Sequence, residues 1–218
     1  EKVVLNDCKG TEYLCEINSV SKQEVIVKIL EVLEINNESK VEVYLFQGLP
    51  KAQKMDLIVQ KGTELGITEF IPTITKRVDV KLKGDFKKLD RLNRIALEAA
   101  KQSKRSIIPA VSAPISFEDA LKRLEDIDLF LVPYENADNL GVRGVISKLR
   151  KENLLNDIKR IGIMVGPEGG FENDEIATLR ENGAKIITLG NRILRTETAG
   201  FVATSLIQYE LGDLGGNI

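Results

Sequence analysis

Two stretches decide the fold. The first is Ile161-Gly162-Ile163-Met164-Val165, followed at once by Gly166-Pro167-Glu168-Gly169-Gly170-Phe171. The second is Lys185-Ile186-Ile187-Thr188-Leu189, followed by Gly190-Asn191-Arg192-Ile193-Leu194-Arg195-Thr196-Glu197-Thr198. Each is a short, largely apolar run that passes into a small or polar loop and then into a helical pattern. A run without polar alternation reads as a strand buried on both faces, the habit of parallel sheets. Asn173–Asn182, closed by Gly183, reads as the helix between them, and Glu197–Glu210 as the helix that follows. Strand alternating with helix predicts an α/β fold around a parallel sheet covered on both faces.

The same grammar extends back to Pro50. Asp128–Pro133 and Ile67–Pro72 read as strands. Met55–Leu65, residues 86–105, Ser116–Leu124 and Asn139–Arg150 read as helices, with Ser116 and Asp119 placed like a capping box. Ahead of Gln47 the pattern changes. Tyr13, Cys15 and Ile17 alternate with Leu14, Glu16 and Asn18, and Val25–Leu30 and Val41–Phe46 are β-branched runs with no helix between them. Residues 1–47 are therefore expected to form a small β-rich domain, and residues 48–218 the α/β domain.

Composition excludes several chemistries. The 218 residues contain no histidine, which removes a histidine general base, a histidine triad and every histidine-containing metal site. Cys8 and Cys15 are too few for a zinc site or a disulfide framework, so no metal is expected and a reduced, cytoplasmic setting is the default. No apolar run approaches the roughly 20 residues that span a bilayer, and no signal peptide opens the sequence. The formal net charge of −2 hides an asymmetry. Between Lys76 and Arg105 eleven basic residues face four acidic ones, a local excess of +7 that leaves −9 for the remainder. Such a stripe on an acidic chain suits a phosphate-rich partner, although a solvated helix face would look alike.

In parallel sheets ligands bind beyond the carboxyl ends of strands. Three loops stand there: Pro133-Tyr134-Glu135, Gly166–Phe171 and Gly190–Thr198. Gly169 and Gly170 lack a Cβ and permit close backbone approach to a ligand. A plain strand-to-helix turn would need the same glycines. No Gly-Lys-Ser/Thr follows them and the Gly-x-Gly-x-x-Gly spacing is missing, so ATP and NAD have no positive support. Thr196 suits an N-cap and Glu197 a first turn. Arg195 does not fit that pattern, because a cation at the positive end of a helix is locally unfavourable unless an anion joins it. Gln102 and Arg105 end the long helix and suit base-edge and phosphate contacts, as well as simple helix termination.

Taken together, Gly166–Phe171 and Leu189–Ala199, with Gln60–Gly66 and Glu98–Arg105, closely resemble the ribosomal RNA small-subunit methyltransferase E family. The resemblance runs from about Val41 to the end. It implies a SPOUT-type α/β domain with a C-terminal trefoil knot, preceded by a PUA-like RNA-binding domain. It implies a homodimer and methyl transfer from S-adenosylmethionine to N3 of one uridine in 16S rRNA of the small ribosomal subunit. The family has a further strand, helix and basic residues ahead of this chain's first residue, so the PUA-like part is expected to be incomplete. The cofactor would be held by Val132, Pro133, Tyr134, Gly166, Pro167, Glu168, Gly169, Gly170, Leu189, Gly190, Ile193, Leu194, Thr196 and Thr198. Arg195 and Glu197 are the expected catalytic groups, and Lys61, Arg77, Gln102 and Arg105 the expected RNA contacts.

Uridine N3 must lose a proton before it is a competent nucleophile. Without histidine, the remaining aids are a carboxylate such as Glu197 or Glu168, or an arginine that stabilises the developing anion. Three other readings stay open. One is a knotted methyltransferase acting on a tRNA ribose 2′-oxygen. Another is an RNA-binding module without catalysis. The weakest is an adenine-nucleotide enzyme, which lacks a phosphate motif.

Overall fold

The computed structural model describes residues 1–33, 37–80 and 86–216. In chain order the strands are β1 (Lys2–Asn6), β2 (Glu12–Val20), β3 (Val25–Leu33), β4 (Glu42–Gly48), β5 (Ile67–Ile74), β6 (Ala110–Val111), β7 (Ile115–Ser116), β8 (Leu129–Pro133), β9 (Arg160–Val165) and β10 (Lys185–Ile187). The α-helices are α1 (Lys54–Glu64), α2 (Leu89–Ser103), α3 (Phe117–Lys122), α4 (Val142–Lys151), α5 (Asn173–Glu181) and α6 (Thr196–Leu211).

The strands form two sheets. β1, β2 and β3 make a three-stranded antiparallel sheet, and the rest make a seven-stranded sheet in the order β10-β8-β9-β4-β5-β6, with β7 also on β5. Every pairing in the larger sheet is parallel. β4 is thus the sheet's middle, flanked by β9 and β5. This corrects the expectation that Val41–Phe46 belongs to the β-rich domain and that the α/β part begins at residue 48. A β-branched apolar run does not say which sheet it joins. β4 leads directly into α1 and back to β5, so it is the first strand of the first β-α-β unit.

Alternation along these strands feeds two cores. Leu45, Phe70, Leu131 and Ile163 face α1, α2, α4 and α6, where Ile58, Leu92, Ile146 and Ile207 meet them. Phe46, Ile71, Val132 and Met164 face α3 and α5, meeting Phe117, Ala120, Ile176 and Leu179. Local signals set the helix ends as expected at several points. Ser116 caps α3 by accepting from the Asp119 N–H at 3.0 Å. Gly66 and Gly183 follow α1 and α5 at φ +85° and +86°. α2 begins at Leu89, not at residue 86, and stops where Lys104 takes a left-handed φ of 58°.

The antiparallel sheet buries only Cys15, while Val20, Val25, Ile29 and Val32 are more than half exposed. It meets the larger unit at the turn after α2. There Gly10 N–H bonds to the Ser106 carbonyl at 3.1 Å, and Lys9 bridges to Ile107.

Candidate active site

β4 is where the chain reverses its direction of travel across the sheet: β5 and β6 lie on one side of it, β9, β8 and β10 on the other. Such a switch point opens a crevice beyond the strand ends. The crevice is a cavity of about 460 Å³ lined by the three loops after β8, β9 and β10.

Close backbone packing builds it. A Cβ on Gly48, the last residue of β4, would fall 2.4 Å from Pro167 N, so only glycine lets the Gly166-Pro167 peptide lie against β4. Gly170, at φ +71°, turns the loop back and donates its N–H to the Pro167 carbonyl at 2.9 Å. Thr196 is buried in the first turn of α6. Its hydroxyl donates to the Gly166 carbonyl at 2.5 Å and accepts from Gln47 Nε2 at 2.8 Å. The N-cap position itself is taken by Arg195, whose side chain makes no capping bond. That corrects the expected cap. The Thr196 hydroxyl serves as a tie between α6, the glycine loop and β4.

Twelve of the fourteen residues expected to hold a cofactor line the cavity. Val132 is wholly buried in β8 just before Pro133 and does not reach the surface of the cavity. Thr198 lies in the first turn of α6, away from it. Arg195 lines the cavity, is exposed, and has no side-chain hydrogen bond or ion pair among the described residues. The same holds for Arg192, a cavity residue that the sequence reading passed over.

Glu197 sits elsewhere than expected. It is outside the cavity lining, its side chain is 13% exposed, and its Oε2 is buried without a hydrogen-bond partner among the described residues. Oε2 lies 3.4 Å from the ammonium of Lys54, which does line the cavity. Lys54 Nζ is also 3.0 Å from Glu168 Oε1. Burial would raise the Glu168 carboxyl, but its own backbone N–H, Lys54 and the Lys51 N–H at 3.1 Å outweigh burial and hold it below the ordinary value. The hydrogen bond to Glu168 raises Lys54 above its ordinary value against the smaller effect of burial. Lys54 is therefore a firmly charged cation and Glu168 a weakly basic carboxylate.

The four expected RNA contacts diverge. Lys61, half-exposed on α1, pairs with Glu64 at 2.9 Å. Gln102 is exposed on the last turn of α2. Arg77 lies at the rim of the glycine loop, with a bidentate pair to Glu172 at 2.8 and 3.1 Å and a bond to the Gly169 carbonyl at 2.8 Å. Arg105 is only 6% exposed, with its guanidinium on Glu38 at 2.6 Å and on the carbonyls of Thr63 and Ile67 at 3.2 and 2.7 Å. This corrects its expected role, because an interior guanidinium with these partners has no face left for a phosphate. Lys81, Lys83 and Asp85 of the basic stretch lie outside the described residues.

Besides Arg192, the cavity residues missed from sequence include Lys54, Glu135 and Thr188. Glu135 closes one of the quoted loops and Thr188 stands in a quoted strand, so both were within reach though neither was named as a site residue. Lys54 lies far along the chain from all three loops, before the first of them by the whole stretch from α1 to β8, and no local pattern points to it.

Comparison with known proteins sets the class. Residues 37–208 match the RNA methyltransferase domain family, and residues 1–30 the RNA methyltransferase PUA domain family. The ribosomal RNA small subunit methyltransferase E of Bacillus subtilis (strain 168) is 39% identical over 223 residues, spanning all of this chain and 85% of that protein. The protein of the same name from Aquifex aeolicus (strain VF5) is 32% identical over 200 residues, spanning 91% of this chain and 82% of that one. The chain belongs to the ribosomal RNA small subunit methyltransferase E family. Among solved structures, that of the Neisseria gonorrhoeae enzyme bound to S-adenosyl methionine superposes with a TM-score of 0.80 at 30% identity, covering 98% of this chain and 85% of that one. A Legionella pneumophila protein in complex with bound SAM gives 0.81 at 31%, with the same coverage. Among the described residues no helix is long and apolar enough to cross a membrane.

Proposed function

We propose that this chain methylates N3 of a specific uridine in 16S rRNA of the small ribosomal subunit, using S-adenosylmethionine, as a cytoplasmic homodimer with a C-terminal trefoil knot. The observation that carries the reading is the cavity at the switch point, which Arg195 lines with an exposed side chain that has no acidic partner among the described residues. The relatives from N. gonorrhoeae and L. pneumophila hold S-adenosylmethionine and share this fold over 98% of the chain. The two-domain division follows the same logic. β1–β3 form the PUA-like RNA-binding part, and the α/β part begins before β4.

The residues present fit the cofactor. Gly166 and Gly170 keep the loop tight, since a Cβ on Gly166 would meet the Gly170 backbone at 3.1 Å. The cavity-lining backbone of Pro133–Glu135, Gly166–Gly170 and Leu189–Leu194 would hold the adenosine end, with Ile193, 87% exposed, as an apolar wall. When bound, S-adenosylmethionine supplies an electrophilic methyl group: N3 forms its bond to that carbon as the carbon–sulfur bond breaks, leaving a neutral thioether. The residues' task is positioning and control of the N3 proton. Arg195 stabilises negative charge at the uracil edge from the N-terminus of α6, where the helix dipole adds to it. The target base is presented unstacked, and Lys61, Gln102 and Arg77 are left as RNA contacts.

Arg195→Ala is expected to lower methylation at least a hundredfold while the protein stays folded. Radiolabelled methyl transfer to 30S subunits lacking the modification, followed by nucleoside mass spectrometry, checks both rate and product. Methyl found on a ribose 2′-oxygen or in tRNA would overturn the assigned target.

A further inference from the structure

We propose that Lys54 is a catalytic residue that donates a hydrogen bond to the uracil carbonyl beside N3. This rests on the uridine-N3 reading above. An ammonium has three N–H donors and no acceptor. Glu168 Oε1 takes one of them at 3.0 Å, and Glu197 Oε2 faces Nζ at 3.4 Å as an ion pair that falls short of a hydrogen bond. Lys54 lines the cavity and is 29% exposed, so a remaining donor is available to a ligand there. Glu197 lies outside the cavity lining with a buried Oε2 whose nearest cation is Lys54, so it acts through that ammonium and not on the base. The third neighbouring charge, Lys51, is turned to Asp79 and leaves Lys54 to its two carboxylates.

Held between two anions, Lys54 keeps its proton and cannot serve as the base. It acts as an electrophile. As the N3–H proton passes to water, the electron pair left on N3 spreads onto the neighbouring carbonyl oxygens. A preorganised ammonium at one of them stabilises that anion before and during bond formation to the methyl carbon. Arg195 and Lys54 then divide the work, each opposing charge that exists only once N3 has ionised. The position of Lys54 supports this role. It opens α1, directly after the β4–α1 connection whose Lys51 N–H holds Glu168, so the ammonium and the glycine loop are fixed to one frame.

The test uses 30S subunits lacking the modification, prepared with uridine or with 5-fluorouridine, whose N3–H is more acidic. Lys54→Met is expected to lower kcat about 10²–10³-fold on uridine substrate. Calorimetry should show S-adenosylmethionine affinity unchanged within twofold. The variant should recover at least tenfold on 5-fluorouridine substrate relative to wild type, and its rate should keep rising at pH values where wild type has levelled. Lys54→Arg should retain a tenth or more of the rate. A kcat within threefold of wild type for Lys54→Met overturns the proposal. So does a loss that is equal on both substrates at every pH, which would mark a structural role. So does a tenfold loss of cofactor affinity, which would move Lys54 to the cofactor. A wild-type enzyme that places no methyl on uridine N3 overturns the underlying reading first, and is told apart because it needs no variant.

Discussion

β3 and β4 read almost alike and end in opposite environments. Val25–Leu30 and Val41–Phe46 are both short β-branched runs. In β4, Val43, Leu45 and Phe46 are fully buried, because helices cover both faces of the parallel sheet. In β3 the apolar side chains Ile26, Ile29 and Val32 are about half exposed or more. Residue type sets the capacity to form a strand; the number of covered faces sets what that strand contributes to stability. Each buried side chain in β4 is worth a few kcal/mol, and the same type in β3 far less.

The comparison can be broken most directly by paired truncations. Phe46→Ala should cost about 3–5 kcal/mol, since Phe46 also packs at a tilt against Phe130 with centroids 5.1 Å apart. Ile29→Ala should cost within about 1 kcal/mol, and urea unfolding midpoints report both. A loss above about 2 kcal/mol for Ile29→Ala would show that this face of the antiparallel sheet is covered in solution.

Two arginines sharpen the same contrast between buried and open surroundings. Arg105→Ala should destabilise by about 3–5 kcal/mol, because it removes a guanidinium, only 6% exposed, from the Glu38 carboxylate and from the Thr63 and Ile67 carbonyls. Arg195→Ala removes an exposed side chain with no partner among the described residues and should change stability by only about 0.5 kcal/mol. Thermal melts of the two variants should therefore separate by many degrees, in the opposite order to the loss of methylation expected at Arg195.

The smallest effect disappears in acid. Burial would raise the Glu69 carboxyl, but the Arg123 fork at 2.8 and 3.0 Å and the Ser112 hydroxyl lower it below its ordinary 4.5. A lowered folded value means that the stabilisation is full above the unfolded value and is lost as pH falls through the folded one. Glu69→Gln should thus be less stable than wild type at pH 7, and the gap should narrow as pH drops below about 4.5. A gap independent of pH would show that the Arg123 pair stabilises by packing over Phe46, 5.8 Å away, and not by charge.

Much of the site was legible because it is local. Gly166–Gly170 follows β9 directly and Gly190–Thr196 follows β10 after two residues, so chain order alone delivers them to one sheet edge. Arg195 was legible for a further reason: a cation at a helix N-terminus is an electrostatic conflict visible in a linear pattern. What escaped was non-local. Arg105 ends a helix among other basic residues, and only the linker carrying Glu38 turns it inward. Glu197 looks like a free first-turn carboxylate until α1 brings Lys54 against it.

The sequence by itself determined the alternation of buried strands and helices, the glycine loops, the absence of histidine chemistry and the basic stretch from Lys76 to Arg105. These are properties of periodicity and composition, which neighbouring residues carry. Tertiary structure alone decided that β4 is the centre of the parallel sheet, that Arg105 is interior, and that Lys54 stands at the cavity between Glu168 and Glu197. Each of these depends on which distant segments pack together. Packing between segments far apart in the chain depends on the shape and covering of whole layers, which no local window of residues contains.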